Sequence, residues 1–370
     1  MPRNSRVTCV TIRPVSTDKS AVAAYVRRQR DGCAHLGSSL YAGLLDRVAR
    51  EVEAGGPAWR VLEPFAGWPE GSAYVLRVMG AVNRLVLTGD APELEPHFAP
   101  GGDPDAAWPA LAALLEDRKD AIVQSALERP VQTNEVGRCA VLAPAMLWLS
   151  RGLPLRILEL GASAGLNLRW DAYRYGDLWG DPGSSVRVET HCEGDPPPFA
   201  PAQIEIAERR GCDARPIDPT APDGRLALLS YVWPDQRERV ELLRAALDFA
   251  PTLPATVDAA PAADWLEQRL AETPRQGVAT VVFHSIVWQY LDDEQRSRIQ
   301  AALAEAGAKA SEDAPLAWLR MEADNELTRV DATLWPGGES RLIARAGYHG
   351  RPVHWLAGDD REGSGERRGG

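Results

Sequence analysis

Apolar positions along the chain follow two different rhythms, and the change comes near Gly152-Leu153-Pro154. Before it the spacing is helical. Leu40, Leu44, Leu45 and Val48 recur close to every 3.6 residues within residues 36–52. Val75, Leu76, Met79, Val82, Leu85 and Val86 do so within 72–87, and Leu111, Leu114, Leu115, Ile122, Val123 and Leu127 within 108–127. Gly89-Asp90-Ala91-Pro92 and Ala99-Pro100-Gly101-Gly102 punctuate these runs as loops. Residues 1–150 are therefore expected to form a helical N-terminal lobe.

After Pro154 strand-like and helix-like runs alternate, which predicts an α/β domain over residues 151–357 with a mostly parallel sheet. Residues 156–160 read as the first strand and 166–175 as an amphipathic helix. Residues 186–191 read as a strand in an inserted hairpin, 204–210 as a helix, and 214–217 as a short strand ending at Asp218. Residues 226–233 fit either type. A helix is expected over 235–249 with Pro234 at its first turn, and a short strand over 255–258. The dense apolar run 278–283 reads as a central strand. Asp292 with Gln295 three residues on is a capping box that starts a helix. Strands over 316–321, 327–334 and 342–346 follow, the last two joined through Pro336-Gly337-Gly338 as an antiparallel hairpin. Residues 358–370 are polar and Gly-rich and are expected to be a disordered tail.

Composition narrows the class. With 45% hydrophobic and 25% charged residues, 370 residues hold enough apolar material for a core. Lys plus Arg is 41 against 52 for Asp plus Glu, a formal charge of −11. The densest basic cluster is Arg27-Arg28-Gln29-Arg30, too short for a phosphate-tracking stripe, so no nucleic-acid partner is expected. Five cysteines without C-x-x-C spacing argue against a disulfide framework or a zinc site and fit a reducing cytoplasm. The N-terminus lacks a signal-peptide apolar region, and the most membrane-like run, 139–149, is short and carries Pro144. The expected protein is cytoplasmic, with no membrane partner and no metal; nothing fixes its oligomeric state.

The candidate chemistry starts at Leu158-Glu159-Leu160-Gly161-Ala162-Ser163-Ala164-Gly165, where an apolar strand ends in an acid and a small-residue turn. A dinucleotide fingerprint would need glycine at the second conserved position, which Ser163 holds. The segment Gly161-Ala162-Ser163-Ala164-Gly165 also matches the G-x-S-x-G nucleophile elbow. A serine hydrolase would take Ser163 as nucleophile, His349 or His354 as base, and Asp258 or Asp235 as the orienting acid. A tight turn in a non-catalytic Rossmann-like binding protein is a further reading. The sequence resembles most closely the opening of Rossmann-like methyltransferases that use S-adenosylmethionine (SAM), with Ser163 in place of the middle glycine. That resemblance implies a cofactor held by Glu159, Gly161, Ala162, Ser163 and Gly165. It also implies an acid at the second strand end for the ribose, for which Asp218 is the candidate and Glu193 the alternate.

Polar groups cluster again just past the central strand, in Phe283-His284-Ser285-Ile286-Val287-Trp288-Gln289-Tyr290. Open α/β sheets bind ligands at such strand ends. His284 can serve as a general base near neutral pH, with Ser285 and Tyr290 as catalytic partners. Trp288 and Gln289 would contact a small-molecule acceptor. Asn134 and Glu135, within Gln132-Thr133-Asn134-Glu135, could close the site, and Trp233 and Asp235 mark another expected strand-to-helix junction. Each of these residues could instead cap an element or fill core.

These segments together, with Trp335-Pro336-Gly337-Gly338, are similar to a bacterial family catalogued as domain of unknown function 2332, over nearly the whole chain. The resemblance implies an Asp near the position that Pro261 holds here, before Asp264-Trp265-Leu266. If that Asp meets an adenine in relatives, this chain lacks the contact.

Overall fold

A computed structural model describes residues 18–195 and 204–356. The expected tail, residues 358–370, lies outside them. The chain forms two compact units, which draw their described residues from Met1–Val131 with Ser230–Arg237, and from Gln132–Leu229 with Glu238–Gly370.

The first unit is helical: α1 (Lys19–His35), α2 (Ser39–Ala54), α3 (Pro57–Leu62), α4 (Tyr74–Leu87), α5 (Pro104–Asp117) and α6 (Lys119–Glu128). The apolar stripes read from the sequence meet in one core, with Leu40, Leu44, Leu45, Val75, Met79, Val82, Leu111 and Ile122 among its members. α2 is bounded by ordinary caps. Ser38 Oγ accepts from Tyr41 N, and Gly55 closes the helix in the left-handed conformation. Run 108–127 is two helices, α5 and α6, parted at Arg118.

The second unit begins with α7 (Cys139–Leu149) and continues through β1 (Leu155–Leu160), β2 (Arg174–Tyr175), β3 (Trp179–Gly180), β4 (Arg187–Val188), β5 (Cys192–Glu193) and β6 (Ile206–Asp213). Then follow α8 (Pro222–Ser230), whose last residue falls in the first unit, α9 (Arg237–Phe249), β7 (Thr256–Ala259), α10 (Ala262–Leu270) and β8 (Ala279–Ser285). The chain ends with α11 (Asp293–Gly307), β9 (Leu316–Asp324), β10 (Leu327–Trp335), β11 (Glu339–Ala346) and β12 (Val353–Trp355). Nine strands make one sheet in the order β5-β12-β11-β10-β9-β8-β1-β6-β7, and β3-β2-β4 make a small second sheet. The run β7-β6-β1-β8-β9 is parallel throughout, while β9, β10, β11 and β12 pair as an antiparallel meander.

Numbered by their place in the chain, the parallel strands stand in the order 3-2-1-4-5, that of a doubly wound sheet, with its reversal between β1 and β8. β1 is buried at all six positions, as a strand covered on both faces must be. Leu158, Leu160, Val282 and Trp318 pack with Leu266 of α10 and Ile299 and Leu303 of α11 on one face. α7 packs on the other, against β8 and β9.

Four local expectations are corrected. Residues 166–175 do not form an α-helix; they hold a six-residue 3-10 helix, Asn167–Ala172, and then enter β2. The carbonyls there accept amides three residues on, as in a 3-10 helix, and side chains as well. Arg169 Nη1 donates to Gly165 O, Tyr173 Oη to Leu166 O and Tyr175 Oη to Trp170 O, each at 2.7 Å. Residues 204–210, expected as helix, are largely strand β6, because parallel pairing with β1 outweighs local helical preference. Residues 214–217, expected as strand, follow the end of β6 as a connection, and Ile217 N donates to Ser163 O at 3.1 Å. Residues 186–191, expected as a hairpin strand, hold only the two-residue β4, which pairs in parallel with β2. The strands expected at 156–160, 255–258, 278–283, 316–321, 327–334 and 342–346 and the helix capped by Asp292 are present; Asp292 Oδ1 accepts from Gln295 N at 2.7 Å.

Candidate functional site

The strand order reverses between β1 and β8, and open sheets bind ligands at such a reversal. The end of β1 carries Glu159, 2% exposed. Its pKa stands well above the usual carboxylate range, chiefly because burial penalises the charge, with nearby Asp213 adding to the rise; Arg138 and a hydrogen bond from Asn167 pull the other way. One oxygen, Oε2, is buried without a hydrogen-bond partner. The turn beyond it is sharply bent. Gly161, Ser163 and Gly165 have φ of 68°, 53° and 65°, a region that costs a side-chain-bearing residue energy. Ser163 accepts that strain and is 5% exposed, and its Oγ also has no partner.

The amides of this turn are engaged within the protein. Ala162 N donates to Cys212 O, Ser163 N to Asp213 Oδ2, Gly165 N to Ala162 O, and Leu166 N to Asn134 Oδ1. A methyl group added at Gly161 would collide with Val287, so that glycine is covered by the segment after β8. With no α-helix following and few amides open, the turn is not the anion cradle of a dinucleotide site. What it presents is side-chain oxygen: Glu159 Oε2, Ser163 Oγ and the Asp213 carboxylate beside them.

Strand alternation separates the groups at the end of β8. His284 lies on the α10–α11 face, two residues beyond Val282, and Ser285 lies on the face of Glu159 and α7. His284 is wholly buried. Its Nδ1 lies 2.6 Å from Glu322 Oε1, an oxygen that also accepts from Val287 N at 3.0 Å. That distance fits an Nδ1–H donated to the carboxylate, and Nε2 is buried without a partner. Trp288 stacks on the imidazole at 5.3 Å between centroids, and Trp318 lies 5.9 Å away. Ser285 Oγ accepts from Arg138 Nη1 at 3.1 Å. Gln289 is exposed, as is Tyr290 at 63%, so the expected catalytic role of Tyr290 finds no contact with His284 among the described hydrogen bonds.

The other expected residues fall into three groups. Asn134 and Glu135 are buried within the second unit. Asn134 holds the turn through Leu166 N. Glu135 pairs with Arg239, with Arg239 Nε 2.9 Å from its Oε2. Burial works against the Glu135 charge, but Arg239 and its other cationic neighbours hold the pKa below the ordinary value. His349, near the same ions, is pushed down to about 3, first by burial and then by Arg239. Trp233 and Asp235 belong to the first unit and join α8 to α9, not a strand to a helix. Asp235 receives hydrogen bonds from Ser38 Oγ at 2.8 Å and Leu40 N at 3.1 Å, and Trp233 packs on Tyr41.

Asp218 stands five residues past the end of β6, where it accepts from Thr220 N and Oγ1 in a turn. The acid at that strand end is Asp213. Glu193, the alternate, lies on edge strand β5 and pairs with His354 at 3.0 Å. The serine-hydrolase constellation does not assemble. Ser163 Oγ bonds no histidine, His354 faces Glu193, Asp258 is held by Arg210 and Trp265, and Asp235 is in the other unit. Among the described residues no group of three or more His, Cys, Asp or Glu could hold a metal ion, and no helix is long and apolar enough to cross a membrane.

Sequence reasoning missed Asp213 and Glu322. Asp213 follows the small residues Gly211-Cys212 at a strand end, a signal hidden by reading 204–210 as helix. Glu322 was findable from alternation: Trp318, Arg320 and Glu322 share a face two residues apart.

The fold defines an α/β protein with a doubly wound parallel sheet extended by antiparallel strands. The chain belongs to the family described as an uncharacterized protein conserved in bacteria (DUF2332), which matches residues 23–355. No curated protein matches the chain.

Proposed function

We propose that this chain is an enzyme that transfers a methyl group from SAM to a small-molecule acceptor at the carboxyl ends of β1 and β8. The observation that carries the reading is the pair of buried polar atoms without partners at the end of β1, Glu159 Oε2 and Ser163 Oγ; His284 Nε2, likewise without a partner, stands at the end of β8 on the opposite face of the sheet. Buried polar groups are nearly always satisfied, and a ligand is one of the groups, with water and ions, that can complete the bonding of an exception. Glu159 when ionised and Asp213 accept there, and Ser163 Oγ can accept or donate. This set suits a ligand presenting an ammonium group and ribose hydroxyls, as SAM does, and does not suit a pyrophosphate. When bound, SAM supplies an electrophilic methyl group.

The chain's residues divide the remaining work. Glu159 receives the cationic end and is drawn into its ionised form by it. Asp213, rather than Asp218, stands where the ribose hydroxyls are expected. His284, oriented by Glu322, accepts the proton that the acceptor gives up. Positioning of the two reactants supplies much of the rate in such a transfer.

Calorimetric titration of the full chain with SAM tests the reading. Binding is expected, and Glu159→Gln should weaken it about tenfold or more, the worth of one charge-assisted hydrogen bond. No heat at millimolar SAM would sink the proposal and favour a non-catalytic binding protein.

A further inference from the structure

The face of the sheet that carries His284 holds a second group of nitrogens without partners. Arg320 on β9 is the register neighbour of His284 on β8, so both side chains rise from the same face at adjacent positions. The Arg320 guanidinium lies on the Trp318 ring, 4.2 Å from its centroid, and Nη2 donates to Ser340 Oγ at 3.0 Å. Its Nε is buried without a hydrogen-bond partner, as are Trp318 Nε1 and His284 Nε2.

The nearest carboxylates are engaged elsewhere. Glu322 holds His284 and Val287 N, and Asp331 is gripped by Arg329 through bonds of 2.7 and 2.8 Å. Among the described residues no acid forms an ion pair with Arg320. Burial pulls its pKa down, and Asp331 opposes this without touching it. A half-buried guanidinium without a direct counter-ion is costly, and the unpartnered Trp318 N–H beside it points to an anionic group with acceptor oxygens. The indoles of Trp288 and Trp318, 5.6 Å apart between centroids, give this corner apolar aromatic walls.

We propose that Arg320, Trp318 and His284 form the acceptor subsite, and that it takes a small aromatic carboxylic acid whose carboxylate meets the Arg320 and Trp318 N–H groups. The inference rests on the reading that His284 faces the acceptor, and it adds the substrate class. Arg320 and Trp318 are then binding residues, and His284 Nε2 faces the acidic O–H or N–H of the same molecule. Trp288 must swing off the imidazole for the acid to enter.

The test is calorimetry of the full chain with benzoate, 4-hydroxybenzoate, anthranilate and indole-3-carboxylate, each beside its neutral primary amide. At least one acid should bind tenfold or more tighter than its amide. Arg320→Gln should erase that preference, and Arg320→Lys should keep part of it. A set in which no acid outbinds its amide overturns the proposal on the wild-type chain alone, whatever the variants do. So does a preference that survives Arg320→Gln. The SAM titration is independent. Acid preference without SAM binding would leave this subsite standing and remove the methyl-transfer reading, and the reverse pattern would remove only the subsite.

Discussion

Burial sets the behaviour of Glu159 more than its neighbours do. Its folded pKa lies above the unfolded value near 4.5, so its contribution to stability is fully present below that pH and is lost as pH rises toward the folded pKa. Glu159→Gln keeps the shape and removes the titration. It is expected to stabilise the chain by about 1–2 kcal/mol at pH 8 and by little at pH 4, even as it weakens SAM binding. Urea unfolding of both forms at the two pH values checks this; an equal difference at both would contradict the burial argument. An acid at the end of an apolar strand was legible in the sequence, because apolar runs announce burial. That Asp213 rather than Asp218 stands at the next strand end was not, because it depends on where pairing with β1 stops.

The segment from Ile286 to Trp288 ties the ends of β1 and β8 together. Ile286 has φ of 55°, a strained value for a β-branched residue. Val287 covers Gly161 and bonds Glu322 through its amide, and Trp288 covers His284. Gly161→Ala should therefore cost about 2–3 kcal/mol, from the left-handed backbone and from collision with Val287. Val287→Ala should recover roughly 1 kcal/mol of that cost in the double variant, a coupling read by urea unfolding of the four forms. Additive effects would show that the two residues do not meet. The motif around His284 was recognised as a strand end, yet its two faces were not, since alternation assigns faces only when the register with β9 is known.

On the scale of the whole molecule, residues 230–237 lie far along the sequence from the N-terminal helices and belong to their unit. Asn83 Nδ2 donates to Ser230 O at 3.1 Å and to Val232 O at 3.3 Å, and Asp235 bonds the start of α2. Asp235→Ala should cost about 1–2 kcal/mol through loss of these bonds, seen as a lower urea midpoint, and leave SAM binding to the second unit unchanged. A loss of SAM affinity without loss of stability would return Asp235 to the binding residues. Family membership over residues 23–355 fits a chain whose two units are both part of its design. By itself the sequence determined the helical and α/β regions, the strand ends that carry Glu159 and His284, and the capping of α11, because periodicity and caps act over a few residues. Tertiary structure alone decided that β6 is a strand, that the turn after β1 opens on side-chain oxygens, and that Glu322 and Arg320 flank His284. Those outcomes depend on hydrogen bonds and burial between segments far apart in the chain, which no local pattern encodes.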